Sequence, residues 1–266
     1  MLKRLEHFNT IFALTMFLTV LIIFASSISS VKAVASVNIL SHIGYLDSVG
    51  YYHVLGEVQN VGDQAVNYVK ITGTFYNSSH IVVGTDFTFT ELNVLLAGRK
   101  SPFDLFLFDT GQSAQVNHYS LSVTFYPTSP LALGLAILSN SSYIDGIGWM
   151  HVVGEIKNIG SVKATYVKVI TTYYNETGGV VDARFTFSDP SDINPNQTAP
   201  FDVTLTSSRV PYVDRYELTA ESSQYAIVPE LSSMLIPTLF MLVTLLIIMV
   251  RYNYHGSYRK KAVGMR

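Results

Sequence analysis

The stretch whose reading decides the fold is HVLGEVQNVG, residues 53–62, because the chain writes it twice: HVVGEIKNIG follows at residues 151–160. The offset is 98 residues (151 minus 53), and both copies keep the His, Val, Gly, Glu, Asn and Gly. At that constant offset the match runs without a gap from Ile39/Ile137 to Leu107/Leu205. Asp47 falls on Asp145, Tyr68-Val69-Lys70 on Tyr166-Val167-Lys168, Phe87-Thr88-Phe89 on Phe185-Thr186-Phe187, and Pro102-Phe103-Asp104 on Pro200-Phe201-Asp202. A period this long exceeds that of solenoid repeats and marks the duplication of a whole domain.

Within each copy the apolar residues have period two. Val69, Ile71, Gly73 and Phe75 alternate with Lys70, Thr72 and Thr74, as Val167, Val169, Thr171 and Tyr173 alternate with Lys168, Ile170 and Thr172. Alternation of this kind predicts strands with one dry and one wet face. Such runs are punctuated by Asn, Gly, Asp and Pro, and no long helical period lies between them. The spacing predicts strands near 36–41, 51–60, 66–77, 80–89, 102–108 and 118–126, each with a counterpart about 98 residues on. Six or seven short strands per copy fit an all-β fold of two tandem immunoglobulin- or fibronectin-like β-sandwiches, over residues 34–128 and 133–227. In this frame Val54, Gly56 and Val58 face the core. Asn60-Val61-Gly62 turns the chain, where Asn and Gly tolerate a left-handed backbone.

The order GEVQNVG, YVKITGTFYN, IVVG, SPFDLFL, repeated as GEIKNIG, YVKVITTYYN, GVVD, APFDVTL, resembles the FxLYD family of small β-sandwich modules on prokaryotic and archaeal surface proteins. The resemblance covers about 80 residues of each copy. It implies the sandwich fold more directly than any activity. Where that family carries an Asp after its aromatic pair, this chain has Asn77 and Asn175.

The high apolar content is concentrated at the ends. Lys3 and Arg4 precede an apolar run at 11–24, then small polar residues and Val31-Lys32-Ala33, the order of a secretory signal. Residues 1–33 are therefore expected to be a signal peptide cut after Ala33, or an uncleaved signal anchor. Residues 231–250 carry no charge and are long enough to span a hydrocarbon core as a transmembrane helix. Arg251, Arg259, Lys260, Lys261 and Arg266 follow, and basic flanks of this kind stay cytoplasmic. The expected location is the cell membrane, single-pass, with the middle outside and membrane lipid as a partner of the helix. Val228-Pro229-Glu230-Leu231 with its apolar run and basic end is also similar to archaeal Pro-Glu-Phe sorting tails, with Leu231 in place of Phe. That similarity implies trimming of the anchor at an archaeal envelope, whereas the span and its flank suffice for a plain anchor.

Residues 34–228 hold nine Lys or Arg against seventeen Asp or Glu, a net charge of about −8 that repels phosphate backbones and excludes nucleic acid as a natural partner. The absence of cysteine excludes disulfides, thiolate chemistry and Cys-ligated metals.

His53 and His151 recur four residues before Glu57 and Glu155, a spacing that returns to the same strand face. A metal would require further ligands that the sequence does not identify. Asp182, Asp189 and Asp192 are expected in loops, without the spacing of a calcium-binding loop. No nucleophile elbow, phosphate loop or zinc motif is present, and Gly146-Ile147-Gly148 lacks the third glycine of a dinucleotide site. No cofactor, metal or catalytic residue is therefore expected, and the chain reads as a non-enzyme.

Four sequons mark Asn77, Asn140, Asn175 and Asn196 as glycosylation candidates, with Asn77 and Asn175 at the same predicted hairpin tip in the two copies. Phe106 and Phe108, replaced by Thr204 and Thr206 in the second copy, form a candidate interaction face. The alternative is that they pack under Leu95 and Leu96 or against the second domain. The expected role is a surface protein whose two modules act as spacer or adhesion element with a protein or glycan partner. The alternative is a ligand-binding or accessory subunit of an envelope transporter or enzyme.

Overall fold

The computed structural model describes residues 34–206, 208–228 and Thr244; over the described part of 34–228 the chain is all-β, in several sheets, with one turn of α-helix and one 3₁₀ turn, and Thr244 is helical. Among the described residues no helix is long and apolar enough to cross a membrane. The expected signal segment at 1–33, the expected span at 231–250 (Thr244 aside) and the basic tail lie outside the described residues.

The first copy runs β1 (Val37–Leu46), β2 (Tyr52–Asn60), β3 (Val66–Tyr76), β4 (Val82–Phe89), β5 (Val94–Leu95), β6 (Lys100–Leu107), α1 (Thr110–Ser113) and β7 (His118–Pro127). Strands β1-β2-β6 form one sheet. Strands β4-β3-β7, with the short β5 beside β3, form the other. The period-two pattern explains the pairing: Val54, Val58, Phe103 and Leu105 from the first sheet meet Val69, Ile71 and Phe75 from the second in one buried cluster. Burying side chains of this size contributes roughly 1.5–3 kcal/mol each, which is what a cysteine-free domain depends on.

The second copy runs β8 (Ala132–Ile144), β9 (Met150–Asn158), β10 (Lys168–Tyr174), β11 (Val180–Phe187), β12 (Thr198–Leu205), β13 (Arg215–Glu221) and β14 (Tyr225–Ile227). Its two halves, β8-β9-β12 and β11-β10-β13, match the two sheets of the first copy. Here they are joined: β14 pairs antiparallel with β13 and parallel with β8, closing a seven-stranded order β11-β10-β13-β14-β8-β9-β12.

The repeated Asn-x-Gly has a different cause from the one expected. Neither Asn60 nor Gly62 has positive φ, nor do Asn158 and Gly160; the left-handed residues include Tyr68 and Tyr166 instead. Asn60 is fully buried: its Nδ2 donates to the carbonyls of Gln64 (2.8 Å) and Leu95 (2.9 Å), and its Oδ1 accepts from Gly62 N (3.0 Å). Asn158 repeats this with Val162, Ile193 and Gly160. The glycine is required by close approach. A Cβ on Gly62 would sit 2.1 Å from the Val34 carbonyl oxygen, and one on Gly160 2.2 Å from the Tyr225 ring.

The dry-and-wet expectation holds for β3, where Lys70, Thr72 and Thr74 are half-exposed between buried neighbours. It fails for β10, where Ile170, Thr172 and Tyr174 are buried along with Val169, Thr171 and Tyr173. The first copy covers that face.

Candidate functional site

Two features recur or nearly recur in the duplicated frame: a histidine clamp and a seam that joins the copies. His53 lies on the central strand β2. Asp47, in the β1–β2 turn, uses Oδ1 to accept from the amides of Val49, Gly50 and Tyr51 (2.9, 2.7 and 2.8 Å), leaving Oδ2 3.4 Å from His53 Nε2. Asp104 on β6 holds the other ring nitrogen, Nδ1, at 2.9 Å. Tyr45 and Phe106, opposite His53 on the two flanking strands, stack on the ring at 5.1 and 5.3 Å. The second copy places His151 between Asp145 (3.5 Å) and Asp202 (3.0 Å), with Tyr143 stacked at 4.8 Å and Thr204 where Phe106 stands.

Burial acts against charge on His53, but the hydrogen bonds and charges of Asp104 and Asp47 outweigh it and raise its pKa. For His151 the hydrogen bond to Asp202 is the leading cause of the same rise. The backbone amide of Tyr51 leads in holding Asp47 below the ordinary carboxylate range, as that of Trp149 does for Asp145. The paired carboxylates favour the imidazolium form, which donates from both nitrogens and offers no lone pair to a metal or for proton abstraction. Among the described residues no group of three or more His, Asp or Glu is arranged to hold a metal ion.

His53 and Glu57 do share a strand face, but the structure does not bring them together. Glu57 is only 3% exposed, covered by the second copy. There it accepts a short hydrogen bond from the Tyr174 hydroxyl, and Lys100 Nζ lies 3.3 Å from its other oxygen. Leu55, Tyr174 and Val180 close an apolar cluster around this contact, and Val180 N donates to Ser41 Oγ at 3.3 Å. Farther along the seam, Glu221 accepts from the Asn93 amide and side chain (2.8 Å each to Oε1), while Lys168 reaches Glu91 and its carbonyl. Burial is the leading cause that raises the pKa of Glu57, Glu91 and Glu221, with Tyr174, Lys100, Lys168 and the Asn93 amide working against it. Burial, then Glu57, pushes the Tyr174 hydroxyl upward.

The equivalent outer face of the second copy is open. Glu155 is exposed, and a broad depression of about 740 Å³ lies over Ser139, Asn140, Val153, Glu155, Phe187 and Asp189. A second cleft of about 580 Å³ lies where the copies meet, between Ile43 and Asn175, Val180, Arg209 and Tyr212.

The remaining sequence candidates fall at separate places. Asn77 and Asn175 both occupy hairpin turns, each Oδ1 capping the turn amides of Ser79 and Ile81, or of Thr177 and Gly179. Asn140 is exposed on β8, accepting from the Tyr216 hydroxyl at 2.9 Å, and Asn196 is exposed with φ of 64°. Phe106 is half-buried in a ring ladder with His53, Tyr51 and Phe108, and Phe108 is 66% exposed. Asp182 is not in a loop: it is buried in β11 with Arg184 at 3.2 Å. Asp192 pairs with Lys163 at 2.8 Å, and Asp189 precedes a cis proline. Sequence reasoning missed Asp47 and Asp104 as the partners of His53, although both recur at the 98-residue offset.

No protein-family model matches the chain, and no curated protein sequence matches it. Among solved structures, an exo-chitosanase from Amycolatopsis orientalis aligns with 71% of the chain and 26% of its own length, at 12% identity and a TM-score of 0.27. A red sea bream transglutaminase aligns with 75% of the chain and 31% of its own length (9% identity, TM-score 0.23). A β-glucuronidase from glycoside hydrolase family 2 aligns with 67% and 23% (10%, 0.24). The chain thus spans about a quarter to a third of the length of these proteins.

Proposed function

We propose that the chain is a membrane-anchored, outward-facing surface protein whose two immunoglobulin-like sandwiches form a rigid spacer and interaction module, with no catalysis of its own. The observation that carries this reading is the buried seam. Glu57, Tyr174, Leu55 and Val180 are spent on locking one copy to the other, as a spacer of fixed shape requires. The histidines, the residues best suited to acid–base work, have both ring nitrogens committed to carboxylates. The signal-like N-terminus, the apolar run at 231–250, the acidic middle and the resemblance to FxLYD modules support the outward location.

The test is the intact mass and terminal peptides of protein from native membranes, together with digestion of whole cells by a protease that cannot enter them. A start near Val34, a retained basic tail and loss of the middle on shaving support the reading. An unprocessed chain protected from the protease sinks it. Added glycan mass at Asn77 or Asn175 is expected as well.

The cleft of about 580 Å³ at the junction supports a second reading, an accessory subunit that holds a small ligand between its domains. A Tyr212→Ala variant that loses a co-purifying ligand seen by mass spectrometry would favour it.

A further inference from the structure

The seam inside the chain has an unused counterpart at each end. At the 98-residue offset, the acceptor residues Ser41, Leu55, Glu57 and Glu91 of the first copy become Ser139, Val153, Glu155 and Asp189 of the second. All four line the open depression. The inserting residues Lys168, Tyr174 and Val180 of the second copy become Lys70, Tyr76 and Val82 of the first. Val82 is 53% exposed on the free hairpin β3–β4. Three of the seam contacts survive the shift, whereas the Glu221–Asn93 contact does not, its counterparts being Val123 and Ser191. Tyr174 to Glu57 maps to Tyr76 with Glu155, the amide of residue 180 on Ser41 maps to the amide of residue 82 on Ser139, and Lys168 to Glu91 maps to Lys70 with Asp189. The lysines are also pre-placed alike, Lys168 over the Phe185 ring and Lys70 over the Phe87 ring.

We propose that a second copy of this chain docks its β3–β4 hairpin onto the β8-β9-β12 face, repeating between molecules the seam found within one. Such a contact is heterologous. Each molecule keeps one free donor and one free acceptor, so association is head to tail and open-ended rather than closed. The intermolecular seam is the weaker of the two. Thr198 stands where Lys100 supports Glu57, Thr72 replaces the buried Ile170, and the short chain connection that raises local concentration within a molecule is missing. Confinement of many copies to one surface would replace that last advantage. The inference does not depend on the membrane location proposed above.

The absence of native cysteine permits a direct test on the full chain. The Ser41→Cys/Val180→Cys variant sets the reference: Ser41 Oγ lies 3.3 Å from the Val180 amide across the existing seam, and a disulfide within one chain is expected. Ser139→Cys/Val82→Cys should then give a ladder of two, three and more chains on oxidation. A mixture of the Ser139→Cys and Val82→Cys single variants should stop at a mixed dimer. Both exposed positions lie off the core, so folding is preserved. A reference pair that closes while the double variant stays at single-chain mass overturns the proposal. Like pairs cross-linking as readily as mixed ones overturn it too, since they report random collision. So does a glycan on Asn140 in native protein, because it would fill the docking face.

Discussion

The hydroxyl of Tyr174 donates to the carboxylate of Glu57 across the boundary between two copies of one domain, 117 positions apart in the chain. Glu57 is buried there, whereas its duplicate Glu155 is exposed. Tyr174→Phe leaves a buried carboxylate with Lys100 as its remaining support. The expected cost is about 1–3 kcal/mol, read as a lowered urea midpoint. Glu155→Gln should change the midpoint by less than about 0.5 kcal/mol. Equal effects at the two positions would mean that the seam does not hold in solution.

The two histidine clamps set a pH dependence. Their folded pKa values lie above the ordinary 6.5, so the stabilisation is complete below about pH 6.5 and is lost as pH rises through the folded values. Melting temperature should therefore fall as pH rises above about 6.5, and His53→Gln/His151→Gln should flatten that slope. Asp47 and Asp145 are depressed, so their contribution is present above about pH 3.8 and is lost as pH falls through their folded values. The two windows do not overlap, and because the raised carboxyls of Glu57, Glu91 and Glu221 also lose stability as pH rises, the histidine share is the part of the slope removed in the double variant.

Asn60 and Asn158 close the same polar knot in each copy. Asn60→Ala strands the carbonyls of Gln64 and Leu95, and about 2–4 kcal/mol of destabilisation is expected, far more than a surface Asn→Ala change would cost. Asn158→Ala should match it. Equilibrium urea unfolding measures both.

Gly160→Ala drives a methyl group into the Tyr225 ring and should displace β14 at a cost above about 2 kcal/mol. Tyr225→Ala in the same chain should recover part of that loss, and a double-mutant cycle reads the coupling.

Phe106→Thr/Phe108→Thr copies the second domain's own residues onto the first. Phe108 is exposed, so the melting temperature should stay within a few degrees, while pull-down of a surface partner should be lost if this face makes the contact. Unchanged capture would remove these aromatics from the interaction face.

The alternation of Val69, Ile71 and Phe75 and the 98-residue offset carried the strand positions and the core face of β3, because one-sided burial leaves a period-two trace. They could not carry what depends on the other face. The burial of Ile170 had a trace, an isoleucine where the first copy has Thr72, but a single exchange does not say what covers it. Asp104 is 51 residues from His53, and only pairing of β2 with β6 brings them together. The Asn-x-Gly repeat was legible as a structural signature, yet its cause lay in side-chain bonds and close approach rather than in left-handed turns. Asp182 looked like a loop acid because a lone charge in a strand is expected to face water; its partner Arg184 is on the same strand. The tie made by β14 left no alternation to read, since it is three residues long.

That tie decides how the molecule bears tension. The second copy enters through β8 at Ala132 and leaves through β14 at Ile227, and the two strands run parallel, with Tyr225 beside Ala132 and Ile227 beside Leu135. A pull between the linker and the C-terminal end slides one strand along the other. The bonds between them, and that from Val228 N to the Leu135 carbonyl, are loaded together instead of peeling one at a time. The domain next to the C-terminal apolar run is thereby built as the mechanical clasp of the chain.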